Sequence, residues 1–554
     1  MIPPGKRQGC QPRSSKVVAI NSLRWLFIFP MPLLVFRSLS RCLLVTALIL
    51  VLHGPGLWSH PAIAADLAPT NNRNSQTLTP YLNRAIQRIT EFQLDNGLKF
   101  IVMENNEAPV VSFYTYFDVG GVDEPVGKTG VAHFLEHMAF KGTERIGTKD
   151  FTQEQQLLDQ LDQVFAQITT ARAKGDKTGE QKLQEQFKQI QQQAQDLIKQ
   201  NEFGQIIQMA GGVGLNAATS ADATFYFYSL PSNKLELWMS LESERFLEPV
   251  FREFYQEQEV ILEERRMRTE NNPVGQMVEE FLDTAFTKHP YRRPVIGYDE
   301  DIRNLSRQDV TDFYEKYYIP GNMTIAVVGD VKVDQVKSLA QKYFGRFPQR
   351  PPTPQVTVVE PPQTQQKEIN LTLPSQPWYF EGYHSPAFDD PDSAVFDVMT
   401  TILSSGRTSR LYQSLVEEKQ LALMAQGFNG FPADKFPNLL MFYAQSAPGR
   451  SLDDLSEALH GEIERLKMEP VTPEELERAQ NLLQTSALQS LNSNMGMAQL
   501  LVKYNVRTGD WRNLFARLEA IAAVTPEDIQ RVAQETFRPE NSTIGRILPE
   551  SNRQ

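Results

Sequence analysis

The sequence predicts an α+β protein of two homologous domains, each a mainly antiparallel sheet packed with helices. Residues 89–345 alternate strand-like and helix-like segments, and residues 367–548 repeat that order, which indicates a duplicated unit. A proline-rich segment, residues 346–366, separates the two and is typical of an interdomain linker. This mixed order, with antiparallel signals, favours the α+β class over a parallel α/β sheet.

The composition is that of a globular protein. The chain has 554 residues, of which 41% are hydrophobic and 22% charged, so it has room for two to four domains and is neither disordered nor a polytopic membrane protein. The net charge is −12, and residues 1–64 carry seven basic and no acidic side chains, so the remainder is more acidic still. Nucleic acid is therefore not expected as a partner. Both cysteines, Cys10 and Cys42, lie in this leader, which excludes disulfides and cysteine zinc sites from the body.

Residues 1–64 have the features of a secretory leader. An apolar run at 42–52 follows Arg37 and Arg41, and Ala62-Ile63-Ala64 provides a small-residue cleavage pattern. We expect cleavage after Ala64 and export to the periplasm or another extracytoplasmic space. A second apolar run at 25–36 leaves an uncleaved membrane anchor as the alternative.

The first elements predicted after the leader are given in chain order. Residues 65–88 are polar and predict a flexible lead-in. Residues 89–106 form two apolar runs around Asp95-Asn96-Gly97, a hairpin signal. A third strand is expected at 110–121, and a helix around 129–140.

Residues 150–205 differ from their surroundings. They are rich in Gln, Lys and Glu, with apolar residues at helical spacing and a break at 174–179, so we predict an inserted helical hairpin. We interpret it as a packing element, with a partner-docking arm as the alternative. Beyond it we expect strands at 211–230, helices at 234–246 and 251–268, and a buried strand at 324–331, with a short tail at 549–554.

The sharpest chemical signal is His133-Phe134-Leu135-Glu136-His137. On a helix, His133 and His137 are four residues apart and share one face, so that both imidazoles can hold one Zn²⁺. Glu136 lies beside them, within reach of water on the metal. The order H-x-x-E-H is the inverse of the more common H-E-x-x-H.

A catalytic zinc needs a third protein ligand, and the acidic helix at 253–268 offers candidates. We expect Val260 and Ile261 to mark its buried face, flanked one turn away by Glu257 and Glu264. The side facing solvent is expected to carry Glu259, Glu263 and Arg266. The residues alone leave Glu257 and Glu264 as alternatives.

Four segments together resemble the inverted-zincin metallopeptidases, the family of pitrilysin, insulin-degrading enzyme and mitochondrial processing peptidase. They are GVAHFLEHMAFKGT at 130–143, GLNAATSADATFY at 214–226, EVILEE at 259–264, and the segment 289–331. The resemblance covers about residues 88–548.

This resemblance implies a zinc endopeptidase. His133, His137 and Glu264 become the zinc ligands, and Glu136 becomes the general base that activates water. Glu257 becomes a carboxylate that orients the site from outside the ligand set.

The resemblance also implies how substrate binds. Asn216 and Ala217 fall where an edge strand of the family holds the peptide backbone. Because family members enclose a chamber between two such two-domain units, the expected substrates are short peptides or unfolded segments.

The chain departs from the family in two respects. His137 and Glu264 are further apart than usual, and the hairpin at 150–205 accounts for the excess. Active members also use an Arg and a Tyr, seven residues apart, to grip substrate. In this sequence Val416 and Leu423 occupy those positions, and neither donates a side-chain hydrogen bond. The nearby polar side chains are Arg407, Arg410 and Tyr412.

We therefore expect division of labour, in which a related subunit supplies the Arg/Tyr pair as in mitochondrial processing peptidase; a homodimer is the alternative. Two other functions compete: a non-catalytic scaffold subunit and a structural zinc site. The remaining body histidines, His289, His384 and His460, are expected to be ordinary surface or turn residues.

Overall fold

The computed structural model describes residues 85–550, which form two β-sheets packed with helices. The predicted leader with its cleavage after Ala64, most of the lead-in and most of the tail lie outside the described residues. Among residues 85–550, no helix is both long and apolar enough to cross a membrane.

The first sheet has six strands in the order β1-β2-β6-β3-β5-β4. Its strands are β1 (Ile89–Gln93), β2 (Lys99–Glu104), β3 (Val110–Phe117), β4 (Val213–Thr219), β5 (Thr224–Pro231) and β6 (Met323–Gly329). The predicted turn at Asp95-Asn96-Gly97 joins β1 to β2 as an antiparallel hairpin, and Gly97 takes the positive φ of 96° that such a turn requires.

The second sheet has five strands in the order β7-β11-β8-β10-β9. Its strands are β7 (Lys367–Leu373), β8 (Trp378–Ser385), β9 (Ala422–Phe431), β10 (Asn438–Ser446) and β11 (Ser542–Pro549). Without β1, the two sheets have the same strand order, and each has a single parallel pair, β2 with β6 and β7 with β11. The predicted duplicated, mainly antiparallel α+β fold is confirmed.

Sixteen α-helices lie within the described residues. Those of the first half are α1 (Val131–Met138), α2 (Phe151–Ala173), α3 (Lys177–Leu197), α4 (Glu202–Met209), α5 (Leu235–Leu247), α6 (Phe254–Arg265), α7 (Pro273–Ala285), α8 (Asp299–Asn304), α9 (Arg307–Tyr317) and α10 (Val333–Tyr343). Those of the second half are α11 (Ser393–Ser404), α12 (Leu452–Met468), α13 (Pro473–Leu491), α14 (Asn494–Thr508), α15 (Asn513–Ala523) and α16 (Pro526–Thr536). Residues 347–366 between the halves contain neither helix nor strand.

The two halves exchange one helix each. Helix α14 of the second half packs on β3 and β6 with Leu501 and Val502 buried, and α7 of the first half packs on β7 and β11 with Met277 and Phe281 buried. A Cβ added to Gly545 of β11 would lie 2.7 Å from the Met277 sulfur, so the glycine permits this close approach. Each sheet is therefore covered on both faces, which explains its many apolar positions.

The predicted hairpin is present as α2 and α3, and it packs on α6. The Tyr255 ring of α6 lies between Phe165 and Phe187, with ring centroids 4.7 and 4.9 Å away. The Tyr255 hydroxyl donates to Asp162 at 3.0 Å. The insertion is thus anchored to the helix that carries Glu257 and Glu264.

Candidate metal centre

Helix α1 presents the two motif histidines on one face. The helix starts after Gly130, whose φ of 88° and close contact with the Ile296 carbonyl leave no room for a side chain. The Glu124 carboxylate accepts the first free backbone N–H groups, from Gly130 at 3.0 Å and from Ala132 at 2.9 Å. The His133 and His137 rings then lie 4.7 Å apart, as the i, i+4 spacing predicts.

Helix α6 brings Glu264 to these histidines. Its Oε2 atom lies 3.8 Å from His133 Nε2 and 3.6 Å from His137 Nε2. Ile261 is buried, as predicted, but the prediction that Val260 marks the buried face is wrong, because Val260 is 51% exposed and Leu262 is buried in its place. The buried face of the helix is therefore rotated slightly from the predicted one, and Glu264 still faces His133 and His137 of α1.

The three ligand atoms fit a divalent metal. Histidine nitrogens and a carboxylate oxygen of His133, His137 and Glu264 lie within 4.8 Å of one another. Two ligand atoms that each lie about 2.0–2.2 Å from a tetrahedral zinc are about 3.4 Å apart, close to the distances of 3.8 and 3.6 Å from Glu264 to the two histidines. Burial, together with the neighbouring His137 and Arg268, holds the pKa of His133 well below its usual value. His133 is therefore neutral, which is the form that binds a metal.

Glu257 contacts His137 at the ring nitrogen that points away from Glu264. Its Oε1 atom accepts a hydrogen bond from His137 Nδ1 at 2.8 Å, which leaves Nε2 facing Glu264. Lys141 donates to the other oxygen at 2.6 Å. Burial raises the pKa of Glu257, but these two partners outweigh it and lower the pKa to about 2. Glu257 therefore stays ionised, and its contacts distinguish it from Glu264, which alone faces both histidines.

Glu136 projects beside the histidines and is tied to the edge of the first sheet. Burial raises its pKa, while a hydrogen bond from Thr219 and the nearby His137 act against that rise. The Thr219 hydroxyl donates to Glu136 Oε2 at 2.7 Å. This contact fixes one carboxylate oxygen and leaves the other available for chemistry.

Strand β4 forms an edge of the first sheet, since within the described residues it pairs with β5 alone. Asn216 and Ala217 lie on this strand three and two residues before Thr219. Asn216 is exposed, and its side-chain oxygen accepts the backbone N–H of Ala217 at 2.9 Å. Asn216 is thus accessible and Ala217 half-buried on the strand whose last residue contacts Glu136.

Val416 and Leu423, which the resemblance placed at the positions of an Arg and a Tyr, lie in the second half. Val416 is in a π-helical turn, Tyr412–Glu418, and packs against the core, while Leu423 on β9 is 55% exposed. The neighbouring arginines are engaged elsewhere. Arg410 makes two hydrogen bonds to Glu475, and Arg407 pairs with Glu417.

A cleft of about 380 Å³ opens beside the histidines. Its walls come from the end of α1, from residues 198–201, which belong to the inserted segment 150–205, and from α6 with the residue before it. The inserted hairpin thus reaches the candidate site, which its sequence position alone did not indicate.

Sequence reasoning missed Thr219 and Lys141 as partners of the site. Thr219 lies within the family-like segment 214–226 and Lys141 within 130–143, so the sequence offered a signal for both residues but not for their contacts. His289 was expected to be a surface or turn residue. It caps the short 3-10 turn Pro290–Arg292, but it is not on the surface, because it is 2% exposed among aromatic rings. His384 is also largely buried, against Phe286.

Two family models match the chain. One, described as insulinase (peptidase family M16), matches residues 100–158 and 197–299. The other, described as peptidase M16 inactive domain, matches residues 304–483. The gap in the first match, residues 159–196, is most of the α2–α3 hairpin, as expected for an insertion.

Curated relatives align over most of the chain. A zinc protease named PqqE from Helicobacter pylori is 28% identical, covering 82% of this chain and 92% of its own. A probable mitochondrial-processing peptidase subunit beta from Arabidopsis thaliana is 26% identical, covering 82% of this chain and 77% of its own.

Solved structures share the fold. A protease from Helicobacter pylori superposes with a TM-score of 0.71 and 27% identity, covering 83% of this chain and 99% of that one. The periplasmic protease PqqL from Escherichia coli gives a TM-score of 0.62 at 17% identity, covering 83% of this chain and 48% of that one. Because both halves match the family's models and the two-sheet fold is shared, the chain belongs to peptidase family M16, the insulinase family.

Proposed function

We propose that this protein is a zinc-dependent endopeptidase in which His133, His137 and Glu264 hold the metal. One observation carries the proposal: two imidazole nitrogens from α1 and one carboxylate oxygen from α6 converge within 4.8 Å of one another, as the ligands of one zinc ion would. Relatives named zinc proteases support the choice of metal. Three N/O ligands with an open fourth position are typical of catalytic rather than structural zinc.

The chain's own residues then divide the chemistry. When bound, zinc supplies a Lewis acid that polarises the scissile carbonyl and acidifies water. Glu136, as general base, accepts the proton at the oxygen that Thr219 leaves free, and later delivers it to the departing amine. Glu257 fixes the ring orientation of His137 throughout.

Strand β4, at the edge of the first sheet, is the proposed substrate-binding element. An extended peptide can pair with β4 at Asn216 and Ala217, two to three residues from the contact between Thr219 and Glu136. Main-chain pairing requires an extended partner, so peptides and unfolded segments are the proposed substrates.

Val416 and Leu423 stand where the resemblance expects an Arg and a Tyr, and neither side chain can donate a hydrogen bond to substrate. We propose that a related subunit supplies the missing Arg/Tyr pair in a heterodimer, with a homodimer as the alternative. The similarity to a mitochondrial-processing peptidase subunit supports a paired assembly. Rapid peptide turnover by the purified chain alone would count against the heterodimer.

We also propose export. The basic, apolar leader ending at Ala64 supports it, as does similarity to a protein titled a periplasmic protease. A membrane contact would then arise only through an uncleaved leader.

The deciding measurement is the zinc content of residues 65–554 after reconstitution. We expect about one zinc per chain, lost in Glu264→Ala and kept in Glu263→Ala, whose side chain faces solvent on the same helix. Hydrolysis of a quenched-fluorescent peptide, by this chain or by its pair with the related subunit, should disappear in Glu136→Gln while zinc remains. A parent chain that takes up no zinc would refute the peptidase.

A non-catalytic scaffold is the second candidate. The match of residues 304–483 to a model described as an inactive domain favours it, together with Val416 and Leu423 at the donor positions. Zinc binding without peptide hydrolysis, alone or with any related subunit, would support the scaffold.

A further inference from the structure

The residue before α6, Glu253, has an unusual backbone. Its φ of 58° places it in the left-handed region, which residues other than glycine seldom occupy. Such a conformation persists only when the surrounding contacts hold it in place, and conformations of this kind are found preferentially at functional sites. The contacts of its side chain identify what holds it.

The Glu253 carboxylate connects the inserted hairpin to Lys141, which lies just after α1. Its Oε1 atom accepts hydrogen bonds from Gln200 at 2.7 Å and from Gln195 at 3.2 Å. Its Oε2 atom lies 3.4 Å from the Lys141 ammonium. Two hairpin amides therefore fix the carboxylate that receives Lys141.

Lys141 connects Glu253 to the candidate metal centre. The same ammonium donates to Glu257 at 2.6 Å, and Glu257 accepts from His137 Nδ1 at 2.8 Å. A lysine has a long flexible stem, so two carboxylates hold it in place better than one.

The hairpin also fixes the backbone of Lys141. Arg252 donates to the Lys141 carbonyl at 2.6 Å and pairs with Glu154 of α2 at 2.8 Å. Both members of that pair are at most 1% exposed. The insertion thus touches Lys141 at its side chain through Glu253 and at its main chain through Arg252.

We propose that the inserted hairpin is a positioning element for the metal centre, acting from Gln195 and Gln200 through Glu253, Lys141 and Glu257 on His137. This inference rests on the proposed zinc site and extends it beyond its ligands. The hairpin sets the orientation of one imidazole and with it the zinc affinity, because partners outside the ligand set determine ligand geometry.

The test uses the chain from residue 65 onward, with Zn²⁺ and Co²⁺ alone as probes. A Gln195→Ala/Gln200→Ala variant removes both amides, and Glu253→Gln removes the charge. The matched control is Gln184→Ala/Gln192→Ala, two exposed glutamines of α3 that bond only within their own helix. Zinc Kd is measured by chelator competition, the Co²⁺ visible spectrum reports ligand geometry, and thermal unfolding checks the fold.

We expect the double variant to raise the zinc Kd about 5-fold and to shift the Co²⁺ bands. Losing a direct partner of a ligand typically costs about 10- to 100-fold, and these amides act on that partner through Glu253 and Lys141. Glu253→Gln should do at least as much, and the control should match the parent. Parent-like Kd and spectrum in both variants would overturn the proposal while leaving the zinc site intact. A parent that binds no zinc would overturn both.

Because Gln200 is exposed, Gln200→Ala alone should fold normally and raise the Kd about 3-fold. This single variant keeps the test decisive if the double variant unfolds. A parent-like Kd in Gln200→Ala, with the double variant unfolded, would also overturn the proposal.

Discussion

The Thr219 hydroxyl donates to Glu136 Oε2 at 2.7 Å, which connects the edge of the first sheet directly to the motif helix. Thr219 is the last residue of β4, the strand that carries Asn216 and Ala217. The strand proposed to bind peptide and the proposed general base are therefore joined by one hydrogen bond. A peptide aligned on β4 would be aligned with Glu136 as well.

Replacing Thr219 with Val should lower kcat for peptide hydrolysis about 10-fold while zinc content stays at the parent level. The physical reason is that a hydrogen bond to a charged group contributes about 1.5–3 kcal/mol, and without it Glu136 loses its fixed orientation. Steady-state kinetics with a fluorescent peptide measure this. Thr219→Ser keeps the hydroxyl and should retain most activity; equal kcat in the Val variant and the parent would contradict the role.

Replacing Glu257 with Gln should raise the zinc Kd about 10- to 100-fold, because an amide orients His137 less strongly than a carboxylate. Chelator competition measures the affinity. Glu259→Gln, an exposed change on the same helix, is the control and should bind zinc like the parent. If Glu257→Gln instead abolished binding as completely as Glu264→Ala, Glu257 would be a ligand and the assignment would be wrong.

Replacing Arg252 with Ala should destabilise the first half by about 3–5 kcal/mol, because it leaves the buried Glu154 carboxylate without its partner. Urea unfolding followed by tryptophan fluorescence measures the loss. The exposed pair of Arg531 and Asp392 is the comparison, and Arg531→Ala should cost less than about 1 kcal/mol. Similar losses in the two variants would show that burial of the first pair is unimportant.

The stability of the second half should depend on pH through the titration of His460. The fully buried Glu381 accepts hydrogen bonds from His460 at 2.9 Å and from Tyr383 at 2.6 Å. The hydrogen bond with Glu381 raises the pKa of His460 above its usual 6.5, although burial acts against it. Because the folded-state pKa is the higher one, this stabilisation is complete below pH 6.5 and is lost as pH rises through the raised value.

Thermal midpoints measured from about pH 6 to pH 9 test this dependence. We expect His460→Gln, which keeps a donor but does not titrate, to lose less stability than the parent as pH rises. Parallel pH profiles for the two proteins would show that His460 does not titrate in this range.

Local patterns predicted much of this fold. The hairpin around Asp95-Asn96-Gly97, the amphipathic helices of the insertion and the duplicated strand order all follow from short-range signals. The buried face of α6 was predicted less well, since Val260 is exposed. A helix with charged residues on several sides has a weak apolar stripe, so its rotation depends on what packs against it.

The exchange of α7 and α14 between the halves had no sequence signal. Both helices are amphipathic, and periodicity does not tell which sheet an apolar face will cover. The close fit of Met277 and Phe281 against glycines of the second sheet decides it.

The sequence by itself determined the pair of histidines with Glu136 between them, because three residues within one helical turn share a face wherever the helix lies. It also narrowed the third ligand to Glu257 or Glu264. Only the tertiary structure decided that Glu264 faces both histidines while Glu257 stands behind His137. Tertiary packing likewise brought Thr219, Lys141 and the hairpin to the site, because contacts between distant segments depend on how helices and sheets pack rather than on local periodicity.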